Sequence, residues 1–277
     1  MKLLSIESSG VVASCAISQE DKILATNSVS TGLKHSETLM VLVDSLFKNS
    51  KISLSEIEAV AVSIGPGSFT GLRVGIAAAK GIATGLCLPC IGVETLKAFA
   101  YYFLGHECFV CPCIDARRDK TYCALFEVKG VEVKRVVKDS VKDVSSLNEF
   151  LEKLDGKVFL VGDAAAKCKT FLTDLENVVV ASSNFNSLTA VNIALLAADM
   201  LKNKECLDFK KDVVPKYLRL SQAEFELKNK KRRFAMIFIG SDHAGFSLKE
   251  EIKKHLTELN LEFKDFFNRL RKCCCCI

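Results

Sequence analysis

The sequence predicts an α/β protein of two similar halves, each reading βββ-α-β-α-β-α, a mixed sheet covered by helices. Three observations predict it. The element order of residues 1–104 recurs over 105–225. Short β-branched runs alternate with stretches of helical periodicity in both halves. And 277 residues at 49% hydrophobic and 26% charged composition can bury the cores that two such units require.

Each element has its own signal. Lys2 to Glu7, Val11 to Ser18 and Lys22 to Ser28 are strand-like runs joined by the turn-like SSG and QED, which predicts an antiparallel meander. Leu39, Val43 and Phe47 recur at helical spacing across Ser36–Lys48, with Ser36 as the expected N-cap. Glu58–Ile64 is a buried-strand run, followed by the turn GPGSFTG and a helix over Thr70–Thr84. A strand over Pro89–Val93 and a helix over Thr95–Phe103 complete the first half. In the second half, strands are predicted at Phe109–Asp115, Thr121–Val128, Val131–Val137, Val158–Val161 and Val178–Ala181. Its helices are predicted over Val144–Leu154, after Asp163, and over Ser187–Leu201. Two copies of this order suggest the duplicated ribonuclease-H-like architecture of the actin, sugar-kinase and Hsp70 group.

Beyond residue 225 the pattern changes. Residues 226–235 form a basic linker, and 236–277 hold a strand, a Ser-Asp-His-Ala-Gly turn, an amphipathic helix (Leu248, Ile252, Leu256, Leu259) and a second strand. The net charge of +5 comes from this linker. Lys228, Lys230, Lys231, Arg232 and Arg233 supply five positive charges, and the remaining chain balances at 33 basic and 33 acidic residues. A confined basic stretch of this kind reads first as a solvated tether, with an RNA contact as the alternative.

No apolar run approaches the ~20 residues of a membrane helix, and the apolar start MKLLSI is too short for a signal peptide. A cytoplasmic protein with reduced thiols is therefore expected. Of the 13 cysteines, Cys87 with Cys90, and Cys108, Cys111 and Cys113, have knuckle-like spacing. They lie in strand-like apolar text, and alternation puts Cys108 on the face opposite Cys111 and Cys113. That arrangement spoils a three-ligand zinc site.

SIGPGSFTGLRVG, at residues 63–75, has the glycine content of a phosphate loop. A P-loop ends in Gly-Lys-Ser/Thr, whereas this turn runs Thr70-Gly71-Leu72-Arg73 with no lysine before Lys80. Strand-turn-helix geometry leaves Ser68 and Thr70, with Glu7 on the first strand, as nucleotide or phosphate contacts. In the following helix Gly71, Gly75 and Ala79 recur every fourth residue, flanked by Ala78, Ile82 and Ala83. Glycine within a helix costs about 0.5–1 kcal/mol relative to alanine, so close approach of another element should compensate. That element is either the protein's own sheet or a partner helix. On the partner reading, Gly75→Phe breaks the complex and leaves the monomer folded.

LLSIESS at the N-terminus, KHSETLM (34–40), GPGSFTGLRVG (65–75), IDARRDKTYCALF (114–126) and VPKYLR (214–219) together resemble the TsaB (YeaZ) family. That family is the non-catalytic partner in bacterial tRNA threonylcarbamoyladenosine synthesis. The resemblance spans residues 1–225 and implies the duplicated actin-like fold. It implies pairing through two first-domain helices with a catalytic TsaD-type subunit or with itself, and a larger complex with a TsaE-type ATPase. Contact with tRNA would be indirect, and ATP and a metal ion are expected on the catalytic partner. The implied interface residues are His35, Ser36, Leu39, Val43, Gly71, Arg73, Gly75, Ala78, Ala79 and Ile82.

Catalytic subunits of this group resemble one another in a His-x-x-x-His metal pair, which shares one helix face and grips one ion. Here the corresponding text is GVETLKAFA, with Thr95 and Phe99 at those places. The remaining alternatives are a glycoprotease-like peptidase and a nucleotide-binding enzyme, since the actin-like fold often holds ATP. The tail text IGSDHAGFSLKEEIKKHL resembles the start of a type B ribose-5-phosphate isomerase. That resemblance implies a vestigial sugar-phosphate site at Asp242 and His243 in a truncated fragment. The charged turn Asp115–Arg117–Arg118–Asp119 reads as a solvated hairpin or as a partner contact.

Overall fold

The computed structural model describes residues 1–30, 34–172, 175–203, 212–219, 236–242, 244–259 and 261–265. They divide into two units, Met1–Arg219 and Leu220–Ile277.

In the first unit β1 (Lys2–Glu7), β2 (Ala13–Gln19) and β3 (Lys22–Val29) form the antiparallel meander. After α1 (His35–Ser50), β4 (Ala59–Gly65) adds parallel to β1. After α2 (Phe69–Gly85), β5 (Cys90–Glu94) adds parallel to β4, and α3 (Thr95–Ala100) follows. The first sheet thus has the order β3-β2-β1-β4-β5.

The second half repeats this plan. β6 (His106–Asp115), β7 (Lys120–Gly130) and β8 (Glu132–Asp143) form the meander, then α4 (Asn148–Leu151), β9 (Val158–Val161), α5 (Ala165–Lys169), β10 (Val178–Val180) and α6 (Ala190–Lys202). Its sheet runs β8-β7-β6-β9-β10, the order of the first. This is the duplicated ribonuclease-H-like architecture of the actin group.

Strand alternation sorts the core into three layers. Leu4, Ile6, Val60 and Val62 pack under α1 and α2. Leu3, Ala59 and Ala61 turn to the opposite face, where α3 and α6 lie between the two sheets against Val110, Ala124 and Phe126. Cys111, Cys113, Cys123, Leu125 and Leu160 face α4 and α5. Because the central strands are covered on both faces, they read as continuous apolar runs. Cys108 joins the middle layer and Cys111 and Cys113 the outer one, so the expected split of that cluster holds.

Local departures have simple causes. Helix α1 starts one residue early: Lys34, extended and without a side-chain cap, precedes it, and Ser36 is its second residue rather than its N-cap. The helix expected over Val144–Leu154 is a 3-10 turn (Val144–Ser146) and one turn of α-helix. It starts at the expected Val144, directly after β8, which the alternating text past Val137 continues to Asp143 as an edge strand.

The second unit is a β-α-β piece, with β11 (Met236–Ile239) parallel to β12 (Glu262–Asp265) and α7 (Phe246–Glu258) between them. Its helix is turned differently from the apolar pattern. Leu256 is buried, but Leu248, Ile252 and Leu259 are exposed. Lys249 is buried and bonds Asp265 at 2.9 Å, and Lys253 reaches the same carboxylate at 3.1 Å. The ion pairs, not the leucine stripe, hold α7 to β12. His243, the basic linker at 226–235 and the terminal cysteine run lie outside the described residues.

Candidate functional site

The sequence motifs of the first half converge where β1 ends. Ser8 Oγ donates to the Gly71 carbonyl at 2.8 Å, and Ser68 N donates to the Ser9 carbonyl at 2.7 Å. Ser68 Oγ accepts from Gly71 N at 3.2 Å, making Ser68 the N-cap of α2, while Leu72 N bonds the Ser68 carbonyl at 2.9 Å. His35 Nε2 bonds the Gly10 carbonyl at 2.8 Å. Of the N–H groups at this helix start, those of Ser68 and Gly71 are bonded within the chain, and Leu72 N makes the first regular helical bond. Thr70 is exposed at the same turn.

Glu7 is fully buried beneath this junction. Its Oε1 accepts from Ser9 N and Ser9 Oγ, both at 2.5 Å. Burial pushes its carboxyl up, against the opposing bonds from Ser9 and the charge of His35. Oε1 holds the Ser8–Ser9–Gly10 loop, and Oε2 is buried with no hydrogen-bond partner among the described residues.

Packing settles the glycine face of α2. A Cβ on Gly71 would lie 2.0 Å from the Ser8 carbonyl oxygen, and one on Gly75 2.1 Å from Ser8 Oγ. Gly71, Gly75 and Ala79 are buried against β1 and β4, and Leu39 and Val43 of α1 are buried in the same layer. These five, expected as partner contacts, are packed within this chain. A phenylalanine at position 75 would collide with Ser8 and report on folding rather than on pairing.

The outward side of the same helices is different. Met40 (51% exposed) and Val41 (65%) stand out on α1. On α2, Arg73, Ala77 and Gly81 are exposed and Ala78 and Ile82 half-buried, and on α1 Ser36 is exposed and His35 half-buried. Gly81 and Gly85 have no atom within 4 Å of an added Cβ. Among the described residues nothing packs on Gly81 to compensate its helical cost, about 1 kcal/mol relative to alanine. Sequence reasoning weighed the Gly71 stripe and passed over Gly81; the missed signal was a second glycine register, one helix face away.

A cleft between the two halves is lined by Ser9, Gly10, Val11, Phe99, Ile114, Asp163, Asn186, Ser187 and Leu188. Asp163 accepts from Asp115 N at 2.8 Å, and burial pushes its carboxyl up, with the Asp115 charge adding to the rise. The charged turn beside it has left-handed backbone at three successive residues, Arg117 (φ 61°), Arg118 (φ 55°) and Asp119 (φ 56°). Arg219 ties it down through the Ala116 and Arg117 carbonyls, and Lys167 bonds Asp119 at 2.6 Å.

Thr95 and Phe99, at the places of the histidine pair, are engaged internally. Thr95 Oγ1 accepts from Gly65 N at 3.1 Å, and Phe99 is buried in the middle layer. Among the described residues no three His, Cys, Asp or Glu side chains group to hold a metal ion. Nor is any described helix long and apolar enough to cross a membrane. In the second unit Asp242 is exposed and its Oδ1 accepts from Gly245 N at 2.9 Å, closing the turn into α7.

Of the described cysteines, Cys87 is exposed, while burial pushes the Cys15 and Cys123 thiols up to about 12 and Cys90 to about 11. Brief alkylation of the native chain at pH 7 should therefore modify Cys87 ahead of the other described thiols, as read by peptide mass spectrometry. Modification of Cys111, Cys113 or Cys168 at a comparable rate would contradict the burial of that layer.

Fold and site define the class: a duplicated ribonuclease-H-like protein of the actin group, with Thr95 and Phe99 engaged inside the chain. The family model for TsaD, tRNA N6-adenosine threonylcarbamoyltransferase, matches residues 28–265. The tRNA threonylcarbamoyladenosine biosynthesis protein TsaB of Bacillus subtilis (strain 168) is 29% identical over 230 residues, covering 81% of this chain and 96% of that protein. TsaB of Escherichia coli (strain K12) is 31% identical over 170 residues, covering 58% of this chain and 71% of its own length. The structure of YeaZ from Pseudomonas aeruginosa shares the fold with a TM-score of 0.66 at 23% identity, over 78% of this chain and 99% of that one. The chain belongs to the threonylcarbamoyltransferase family and, within it, to the TsaB proteins.

Proposed function

We propose that this protein is a non-catalytic partner subunit in the formation of N6-threonylcarbamoyladenosine at position 37 of tRNAs. On this reading it acts in the cytoplasm by pairing with the catalytic TsaD-type subunit through the outward face of α1 and α2. The observation that carries it is the exposure of Met40, Val41, Ala77 and Gly81, a mid-helix glycine with no counterpart among the described residues. Small residues on two adjacent helices let a partner helix approach closely, and the flanking apolar side chains supply the area to bury. Arg73 and Ser36 border this face as polar contacts.

The chemistry sits on the partner. Thr95 and Phe99 carry no imidazole, so ATP and the metal ion belong to the transferase subunit, with a TsaE-type ATPase joining the larger assembly. Contact with tRNA runs through that subunit. The direct test mixes the purified chain with the transferase subunit at micromolar concentration and follows co-elution and tRNA modification. Separate elution with no gain in modification refutes the proposal. A homodimer through the same face would instead appear as self-association that the transferase subunit does not displace.

A further inference from the structure

The segment Asp212–Arg219 crosses the boundary between the two sheets and grips both. On the first half, Asp212 pairs with Lys80, and Val213 packs over Gly92. Lys216 N donates to the Ile64 carbonyl at 2.7 Å. The Tyr217 ring stacks on Phe69 with centroids 4.5 Å apart and planes 15° from parallel, and Arg73 Nε donates to its hydroxyl at 2.8 Å. On the second half, Lys216 Nζ bonds Asp139 at 2.9 Å, and Arg219 holds the Ala116 and Arg117 carbonyls.

The charges close into a ring. Glu94 at the end of β5 takes both Lys216 and Arg135, and Asp139 of β8 takes the same two cations. The Asp139 side chain is only 3% exposed, so removal of one cation leaves a carboxylate short of a partner in a poorly solvated place. Arg135 also lies over the Phe126 ring, 4.9 Å from its centroid. Each acid belongs to a different half, and Lys216 bridges them from a third segment.

We propose that residues 212–219 are a strap that sets how far the two halves close on each other, with Lys216 as its clasp. Ser9, Gly10 and Val11 border the inter-domain cleft from the first half, and Ile114 and Asp163 from the second. Opening that cleft separates Glu94 from Asp139 and so requires Lys216 to release one of them and Arg135 of β8 to release Glu94. Next to the clasp Tyr217 is fixed on the first turn of α2, while Arg219 at the strap's end holds the second half.

Hydrogen exchange of the full chain, read by mass spectrometry at pH 7, tests the strap without any partner. In Lys216→Met, peptides at 9–11 and 114–119 should exchange about tenfold faster, while the β2–β3 hairpin and α1 keep their protection. Tyr217→Ala, at a side chain 40% exposed, should give the same regional pattern with smaller size even if Lys216→Met fails to fold. Faster exchange confined to 212–219, or spread evenly over the whole unit, overturns the proposal.

Acid supplies a second check. Burial alone would raise the Glu94 carboxyl, but the Lys216 hydrogen bond and the charges of Arg135, Lys216 and Lys97 more than offset it, so it titrates below its ordinary 4.5. A lowered carboxylate contributes stability above its unfolded value and loses it as pH falls through the folded one. Cleft exchange, corrected for intrinsic rates, should therefore hold steady from pH 7 to 5 and rise below 4.5. A flat profile through pH 3.5 would mean that the charge ring does not hold the halves together.

Discussion

Gly71→Ala should destabilise the protein by about 3 kcal/mol, the upper end of what overpacking costs. The added methyl would sit 2.0 Å from the Ser8 carbonyl oxygen, which is backbone and cannot rotate aside. Relief requires the β1 loop or α2 to shift, which would strain the Ser8 Oγ bond to the Gly71 carbonyl and the Ser68 N bond to Ser9. Gly75→Ala should be milder, about 1–2 kcal/mol, because its obstacle is the tip of the Ser8 side chain, which can turn away once it abandons that bond. Urea denaturation of the two variants beside wild type gives both numbers. For a chain of this size, 3 kcal/mol lowers the melting temperature by roughly 6–12 °C. If Gly71→Ala melts with wild type, the seam between β1 and α2 is not packed as described.

The same seam shows how far the sequence could be read. Element order was legible because each strand is bounded by turn chemistry and each long helix keeps its period; Val158–Val161 falls on the residues its pattern predicts. The direction of the small-residue face was not legible. Spacing of four says that something approaches closely, but whether it is β1 or another molecule depends on how α2 is rotated on the sheet. That rotation is set by Ile76 and Ala83 entering the layer under β1 and β4. Gly81 passed unnoticed because a lone glycine in a helix reads as a small cost until no described residue is seen beside it.

The tail shows the opposite failure. Leu248, Ile252, Leu256 and Leu259 have proper helical spacing, yet Lys249 and Lys253 take the inner side because Asp265 waits there. Periodicity counts apolar residues and is blind to a buried ion pair with the next element. The strap was likewise invisible. VPKYLR marked the family, but its contacts with Ile64, Phe69, Glu94 and Asp139 join residues scattered over the whole first unit.

Val41→Asp and Gly81→Arg should each weaken the complex with the transferase subunit by at least about a hundredfold, some 2.7 kcal/mol, with no loss of stability in the isolated chain. A buried aspartate at 41 would face an apolar partner surface without a counter-charge, and an arginine at 81 would hold the two helices apart. Both positions are open on this chain: Val41 is 65% exposed, and an added Cβ at Gly81 meets nothing within 4 Å. Gly81→Ala separates the two effects. It should stabilise the free chain by about 0.5–1 kcal/mol through helix propensity while lowering affinity, because the methyl intrudes where a partner helix comes closest. A gain in stability with unchanged affinity would move the interface off α2. Wild-type affinity in Val41→Asp and Gly81→Arg together would move it off this face altogether. The three variants, melted alone and titrated against the transferase subunit, distinguish a docking surface from an exposed helix that happens to carry a glycine.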